Sequence, residues 1–219
     1  MSLSSLSLRI LAMALMLTDH LRFALPDAGG VFFAVGRLAF PIFAFLVSEG
    51  AAHTGNIKKY LLRLLVLALV SEIPFDLMLY STAFYPGHQN VIWTFLVSLI
   101  AVYCLRRFSG NGLICFLCAA AAALISAVCR FDYGALGVLT VLLFSFAGRE
   151  DKPRLIVGFA LICLAYGVLY SVWAQLFALL SLIFIFMYNG KRGKDGAALR
   201  LVFYGFYPVH MLLIHIAAG

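Results

Sequence analysis

The sequence predicts an all-α fold, a polytopic bundle of about nine transmembrane helices that forms a single domain over residues 1–219. Two observations lead to this prediction. Hydrophobic residues make up 64% of the chain and charged residues 11%, whereas a soluble domain has about 25% charged residues. The apolar residues also fall into long segments, and a membrane span needs roughly 20 of them. The chain therefore requires a lipid bilayer around it.

Nine hydrophobic segments follow one another along the chain, separated by short polar stretches. They are Leu6–Leu25, Val31–Ala52, Tyr60–Tyr80, Val91–Leu105, Leu113–Cys129, Tyr133–Ala147, Leu155–Tyr170, Val172–Tyr188 and Leu201–Ala218. Several are shorter than the roughly 20 residues of a full span, which indicates a thin or locally hydrated bundle. The first lacks the cationic start and the small-residue cleavage site of a signal peptide, so we expect it to be a retained helix.

Basic residues are concentrated in alternate loops, which indicates the orientation of the chain. The clusters are Lys58, Lys59 and Arg63; Arg106 and Arg107; Arg149, Lys152 and Arg154; and Lys191, Arg192, Lys194 and Arg200. Because Lys and Arg favour cytoplasmic loops, we predict an inside amino terminus and an outside carboxyl terminus in the inner or plasma membrane. The same bias explains the net charge of +7, so we expect no nucleic acid partner.

Ionisable residues inside the apolar segments are the strongest indication of function. Each costs roughly 2.5–3.5 kcal/mol at the centre of a membrane helix, so it is tolerated beside a partner or a hydrated cavity. The candidates are Asp19, His20, Arg37, Glu72, Asp76 and His210. In the predicted orientation they share the outer half of the membrane with Asn90, Arg130, Asp132 and Tyr133. The sequence Asp132-Tyr133-Gly134, followed by Gly137, predicts a turn before a closely packed helix.

The third segment contains two carboxylates, and their negative charges need a partner inside the membrane. Glu72 and Asp76 lie four residues apart, hence on one helical face. In an apolar medium they need a cation between them or a retained proton. Arg37 is the obvious cation, and His20 is the second. A structural ion-pair network that ties helices together is the alternative. Pro41 and Pro74 each free a backbone carbonyl, which predicts kinked helices beside a cavity.

Two histidines are candidates for a general base. His20 is the better one, because an imidazole with an ordinary pKa near 6.5 exchanges a proton at neutral pH. Asp19, adjacent in sequence, points away from it, and we expect Asp19 to pair with Arg22 one turn on. His210 follows Pro208 in another helix. The sequence does not decide which of the two histidines is the base.

Five cysteines lie in apolar runs. Cys115 and Cys118 form a CxxC motif, but no second pair and no histidine stands at ligand spacing. A zinc site needs about four ligands. We expect the cysteines to pack as small apolar residues and predict no metal site.

Strings spread over nearly the whole chain resemble the TraX family of membrane proteins. They are Thr18-Asp19-His20, Gly36–Phe45, Tyr60–Leu64, Ser71–Leu77, Asn90-Val91, Asp132-Tyr133-Gly134, Tyr188–Gly193 and Phe206–His210. The resemblance implies a multi-span acyltransferase that uses acetyl-CoA as a cosubstrate, with no bound cofactor. In the founding member the acceptor is the amino terminus of a conjugative pilin.

The resemblance also implies roles for individual residues. His20 would deprotonate an acceptor amine or hydroxyl, and Arg37 would stabilise the oxyanion or hold the two acids of the third segment. The residues expected to meet the donor's phosphates at the inner face are Lys58, Lys59, Lys191 and Arg192. A pilin-like peptide, a glycan or a lipid would be the acceptor. Direct transfer and a route through an acetylated His20 both stay open.

Two other functions remain as alternatives. Buried acids and a histidine also form proton relays, as in a proton-coupled small-molecule transporter, although the sequence has none of the internal repeats typical of transporters. A non-catalytic membrane assembly protein is the other. Only the enzyme predicts acyl transfer that depends on a donor.

Overall fold

The computed structural model is all-α, as the sequence predicts, and describes residues 2–25, 27, 29–147, 150–194 and 196–218. Its helices are α1 (Ser5–Leu21), α2 (Gly29–Gly36), α3 (Ala39–His53), α4 (Ile57–Tyr80), α5 (Val91–Arg107), α6 (Gly112–Val128), α7 (Gly134–Phe146), α8 (Lys152–Tyr170), a 3-10 helix (Trp173–Leu180), α9 (Ser181–Phe186) and α10 (Ala197–Ala218). Of the basic residues that set the predicted orientation, Arg149 lies outside the described residues.

Asparagine side chains fix where several helices begin. Asn56, Asn90 and Asn111 each accept a hydrogen bond from a backbone amide in the first turn of α4, α5 and α6. Such a cap contributes about 1 kcal/mol, because it satisfies an amide that has no partner within the helix. Asn90 caps α5 and also donates a hydrogen bond to Glu72 of α4, so one residue both begins α5 and joins it to α4.

The second predicted segment is two helices rather than one. α2 ends at Gly36 and α3 begins at Ala39, with Arg37 and Leu38 in a turn between them. Pro41 lies in the first turn of α3, where its missing amide deprives the Arg37 carbonyl of its helical donor. The sequence predicted a kink here, and the structure has a full break with Arg37 at the interruption.

The eighth predicted segment is divided as well. Its first half is the 3-10 helix and its second half is the six-residue α9. Pro74 and Pro208, in contrast, lie inside α4 and α10, which are continuous through them.

Helix α3 lies at the centre of the bundle. Ten of its fifteen residues are buried, and it packs against α1, α5, α7 and α9. Helix α10 packs against α4 and also contacts α1. These contacts bring the end of α1, the break before α3 and the middle of α10 into one region, although they are distant in sequence.

Large apolar side chains cover the exterior. Leu124 in α6 is 64% exposed and Leu161 in α8 is 61% exposed, and soluble monomers rarely present broad apolar surfaces of this kind. Three helical segments within the described residues are long and apolar enough to cross a membrane: Gly29–His53, Lys152–Tyr170 and Ala198–Ala218. The chain therefore has the character of a membrane protein, while the nine-span count and the orientation stay predictions.

Candidate functional site

A cavity of about 60 Å³ lies where α1, the break before α3, α5 and α10 meet. We call it the polar cavity. Its polar lining residues are Asp19, His20, Arg37, Asp132, Tyr133 and Tyr207. A space of this size holds a few water molecules or a group no larger than an acetyl. The structure thus brings three of the six predicted catalytic residues, Asp19, His20 and Arg37, to one small cavity.

Arg37 and Asp19 form a buried ion pair. Arg37 Nη2 donates a hydrogen bond of 2.6 Å to Asp19 Oδ2, and both side chains are about nine-tenths buried. The expected partner, Arg22, is also near, with its Nε 3.7 Å from Asp19 Oδ1. Gly36 permits the contact, because a Cβ at that position would overlap the Asp19 side chain. The close approach of α2 to α1 therefore requires glycine.

Aromatic rings hold the Arg37 guanidinium on its other sides. Its central carbon lies 4.3 Å from the centre of the Phe33 ring and 5.6 Å from that of Tyr133. Arg22 lies over the same Phe33 ring at 4.6 Å. Within the described part of the chain, Arg37 Nε has no hydrogen-bond partner. A buried donor of this kind is costly unless a bound group satisfies it.

His20, His210 and the Phe206 carbonyl form a series of hydrogen bonds in which every donor points toward the carbonyl. His210 Nδ1 lies 2.7 Å from the Phe206 carbonyl oxygen, and His210 Nε2 lies 2.7 Å from His20 Nδ1. A carbonyl only accepts, so His210 Nδ1 carries the proton and, in the neutral ring, Nε2 accepts. His20 Nδ1 must then donate, which leaves the lone pair on His20 Nε2. His20 also lines the polar cavity, and His210 is not among the described residues that line it, so His20 is the histidine placed to exchange a proton with a group in that cavity.

The two acids of α4 are not paired with Arg37, and that expectation was wrong. Glu72 Oε2 accepts hydrogen bonds from the Asn90 amide and, at 2.8 Å, from the Trp93 indole. Asp76 Oδ2 accepts a hydrogen bond of 2.7 Å from the backbone amide of residue 85. The acids therefore face α5 and the loop after α4, where an amide, an indole and a backbone N–H donate hydrogen bonds to them.

A histidine in the loop after α4 joins these acids to the polar cavity. His88 Nε2 lies 3.5 Å from Asp132 Oδ1, and Asp132 lines the cavity. Burial lowers the pKa of His88, but the hydrogen bond to Asp132 and the charges of Asp132, Glu72 and Asp76 outweigh it, so the pKa lies above its ordinary value. His88 and Asp132 therefore connect this loop to the cavity wall, and protonation of His88 strengthens the contact.

The predicted turn before α7 is confirmed. Tyr133 and Gly134 both have positive φ angles, 64° and 51°. A Cβ at Gly137 would lie 2.8 Å from Thr94 Cγ2 and from Tyr133 Cβ, so the helix packs closely, as expected. A non-glycine residue in this conformation is strained, and such residues cluster at functional sites. The turn directs the Tyr133 ring onto Phe40, with ring centres 3.7 Å apart.

A larger cavity of about 230 Å³ lies between α1, α3, α4, α5 and α10. We call it the arginine cavity, because its lining includes Arg9, Arg63, Arg192 and Arg200. Of the four residues expected to meet the donor's phosphates, Arg192 lines it. Lys58, Lys59 and Lys191 are exposed and are not among the described residues that line it.

Sequence reasoning missed three residues of these sites. His88 and Trp93 had no assigned role, although they flank Asn90, which was placed in the polar layer. The signal for His88 was its position in the hydrophilic stretch 81–90, which contains no lysine or arginine. Arg9 is a charge inside the first apolar segment, which is the same signal that singled out Arg37.

Comparison with known proteins covers nearly the whole chain. The family model described as TraX protein matches residues 4–217. The chain is also 28% identical over 237 aligned residues to the probable fimbrial assembly protein FimC, serogroup H1, of Dichelobacter nodosus. This alignment covers 96% of the chain and 94% of that protein. No solved structure matches. The family expected from the sequence is confirmed.

Proposed function

The chain belongs to the TraX family, and we propose that it is a membrane-embedded acyltransferase. It transfers an acetyl group from acetyl-CoA to an amine or hydroxyl of a membrane-associated or extracytoplasmic acceptor. The nine predicted segments cross the inner or plasma membrane with the amino terminus inside and the carboxyl terminus outside. The polar cavity then lies in the outer half of the membrane, within reach of such an acceptor.

The directional chain from His20 through His210 to the Phe206 carbonyl is the observation that carries this proposal. It leaves His20 Nε2 able to accept a proton in a cavity that also contains the Arg37 guanidinium. A base beside a fixed positive charge is what acyl transfer needs, because a proton leaves the nucleophile while negative charge develops on the carbonyl oxygen.

The reaction proceeds by attack of the acceptor nitrogen or oxygen on the carbonyl carbon of the thioester, while His20 Nε2 takes the acceptor's proton. The new bond forms, and the carbonyl electron pair moves to oxygen. Arg37 stabilises that oxyanion from its fixed position against Asp19. The carbon–sulfur bond then breaks, the carbonyl reforms, and His20 returns the proton to the leaving thiolate, which departs as the free thiol.

A non-catalytic role in pilus or fimbrial assembly is the second candidate. The name of the Dichelobacter nodosus relative, a probable fimbrial assembly protein, favours it. In that case a pilin-like peptide would be bound and left unmodified. In the enzyme a pilin-like peptide is one of three acceptor classes, beside a glycan and a lipid.

Transfer of label from radioactive acetyl-CoA by the purified full chain in lipid tests the proposal, with an acceptor extract that contains peptides, glycans and lipids. We expect transfer by the wild type and its loss in His20→Ala. His53→Ala is the matched control, because that histidine side chain is 68% exposed and lies outside both cavities. Label trapped on the wild type and absent from His20→Ala would assign the acetyl-enzyme route. A folded wild type that neither transfers nor hydrolyses the donor would refute the enzyme and leave the assembly role.

A further inference from the structure

The polar cavity and the arginine cavity are neighbours. Five side chains line both of them: Met16, Phe43, Val91, Phe95 and Tyr207. A residue that lines two cavities lies between them, so one layer of side chains separates the two spaces. The two cavities therefore lie between the four arginines and His20, with this layer of side chains between them.

The chemistry of the lining changes between the four arginines and His20. The arginine end carries four positive charges from α1, α4 and the segment before and within α10. Arg9 also lies against the Phe203 ring and Arg63 against the Tyr60 ring, so aromatic surface accompanies the charge. The interior is lined mainly by apolar residues. Planar guanidinium groups match phosphate oxygens, while an apolar interior accepts an uncharged chain. In the predicted orientation all four arginines are at the inner face.

The spacing between the arginines and the histidines along two helices indicates how long a donor molecule must be. Arg9 and His20 are eleven residues apart on α1, and Arg200 and His210 are ten apart on α10, which is about 16 and 15 Å of helix. A phosphopantetheine arm has about thirteen bonds between its phosphate and its sulfur, and since three bonds of an extended backbone span about 3.5 Å, it reaches about 15 Å. Two helices thus give the same distance as the arm.

The volume of the arginine cavity also favours a phosphopantetheine arm. A cavity of about 230 Å³ is below the roughly 300–1,000 Å³ of a site that encloses a drug-sized ligand. It has room for a narrow arm and not for a nucleotide as well. A short donor such as acetyl phosphate would leave its acetyl group far from His20 when its phosphate met the arginines.

We propose that the arginine cavity is the donor site: Arg9, Arg63, Arg192 and Arg200 bind the phosphates of a phosphopantetheine thioester, and the arm passes between Phe43, Phe95 and Tyr207 to His20. This rests on the proposed acyltransferase function and names the residues that hold its donor. It keeps Arg192 from the residues that the family resemblance implied for the donor, and it replaces Lys58, Lys59 and Lys191 with arginines that line this cavity.

Binding of acetonyl-CoA tests the site separately from the chemistry, because a methylene between sulfur and ketone prevents transfer. Arg63→Gln and Lys59→Gln make the same charge change one turn apart on α4, and only the first alters a residue of the cavity. We expect Kd to rise about three- to tenfold for Arg63→Gln and to stay unchanged for Lys59→Gln. Acetonyl-pantetheine, which has no phosphate, should bind both variants and the wild type alike.

A diazirine at the acyl end of the same analogue tests where the arm leads. Crosslinks, mapped by mass spectrometry, should fall on residues of the polar cavity. Equal loss of binding in Arg63→Gln and Lys59→Gln, or crosslinks in the loop around residue 58, would overturn the donor site while acetyl transfer by the wild type continued. A wild type that bound the analogue as proposed without transferring acetyl would keep the donor site and reject the acyltransferase. Absence of both binding and transfer would reject both.

Discussion

Two substitutions of His210 separate the orientation of His20 from its chemistry. Leucine removes the acceptor for His20 Nδ1, so either ring nitrogen of His20 is then free to carry the proton. Glutamine restores a carbonyl oxygen near the position of His210 Nε2 and an amide that donates to the Phe206 carbonyl. The hydrogen-bond chain predicts that His210→Gln keeps most of the activity that His210→Leu loses.

The magnitudes distinguish the base from its positioning residue. General-base catalysis contributes roughly 10²–10⁴-fold, which is the loss expected for His20→Ala. The 2.7 Å bond between the two histidines is worth about 1–1.5 kcal/mol, and about 1.4 kcal/mol corresponds to tenfold in rate. His210→Leu should therefore lower kcat by about five- to tenfold, with KM for acetyl-CoA unchanged.

The assay is initial-rate transfer from acetyl-CoA across a pH series for wild type, His20→Ala, His210→Leu and His210→Gln. Thermal unfolding of each variant serves as the folding control. A loss in His210→Leu as large as that in His20→Ala would contradict the assignment, because it would make His210 the base. So would a glutamine variant as weak as the leucine variant, since the oriented tautomer would then play no part.

Three further substitutions test the packing and charges around the polar cavity. Gly36→Ala should lower the free energy of unfolding by about 1–3 kcal/mol, because the added Cβ overlaps Asp19. In Gly30→Ala, in the same helix, the added Cβ meets nothing within 4 Å, and the unfolding midpoint should stay the same or rise, since alanine favours a helix more than glycine does. A midpoint for Gly36→Ala as high as that for Gly30→Ala would refute the close contact. Asp19→Asn removes the charge opposite Arg37 and should destabilise the protein by about 3–5 kcal/mol. Denaturant or thermal unfolding in detergent measures this loss. A variant as stable as the wild type would show that the ion pair is not buried as described. Because the pKa of His88 is raised in the folded protein, its protonated form adds stability that is complete below the ordinary pKa of about 6.5 and is lost as the pH rises through the raised value. His88→Gln should make the unfolding midpoint less dependent on pH over that window. An unchanged pH profile of the midpoint would rule out the interaction with the carboxylates.

The helical class could be predicted because apolar composition and length alone decide it. The break between α2 and α3 could not, since Val31–Ala52 is apolar on both sides of Arg37 and Pro41 by itself predicts only a kink. The break also depends on contacts that the local sequence does not contain. Arg37 reaches Asp19 on α1, and Gly36 allows α1 to lie against α2.

The members of the site could be predicted more readily than their pairing. A charge within an apolar segment is visible in the sequence, so Asp19, His20 and Arg37 were all identified. Which carboxylate meets Arg37 depends on the rotation of each helix about its axis, and four acids, Asp19, Glu72, Asp76 and Asp132, were available in the same predicted layer. The partner of His20 lies 190 residues away, and no local pattern joins two positions at that distance.

The acids of the predicted polar layer divide into two groups by what they contact. Asp19 holds Arg37 beside His20, inside the polar cavity. Glu72 and Asp76 hold instead the start of α5 and the loop after α4, and His88 of that loop contacts Asp132 in the wall of the polar cavity. On the proposed function, the arginine cavity supplies the donor from one side of His20. The acids of α4, which the sequence predicted as catalytic groups, are not among the described residues that line the polar cavity, and they hold the helix and the loop beside it.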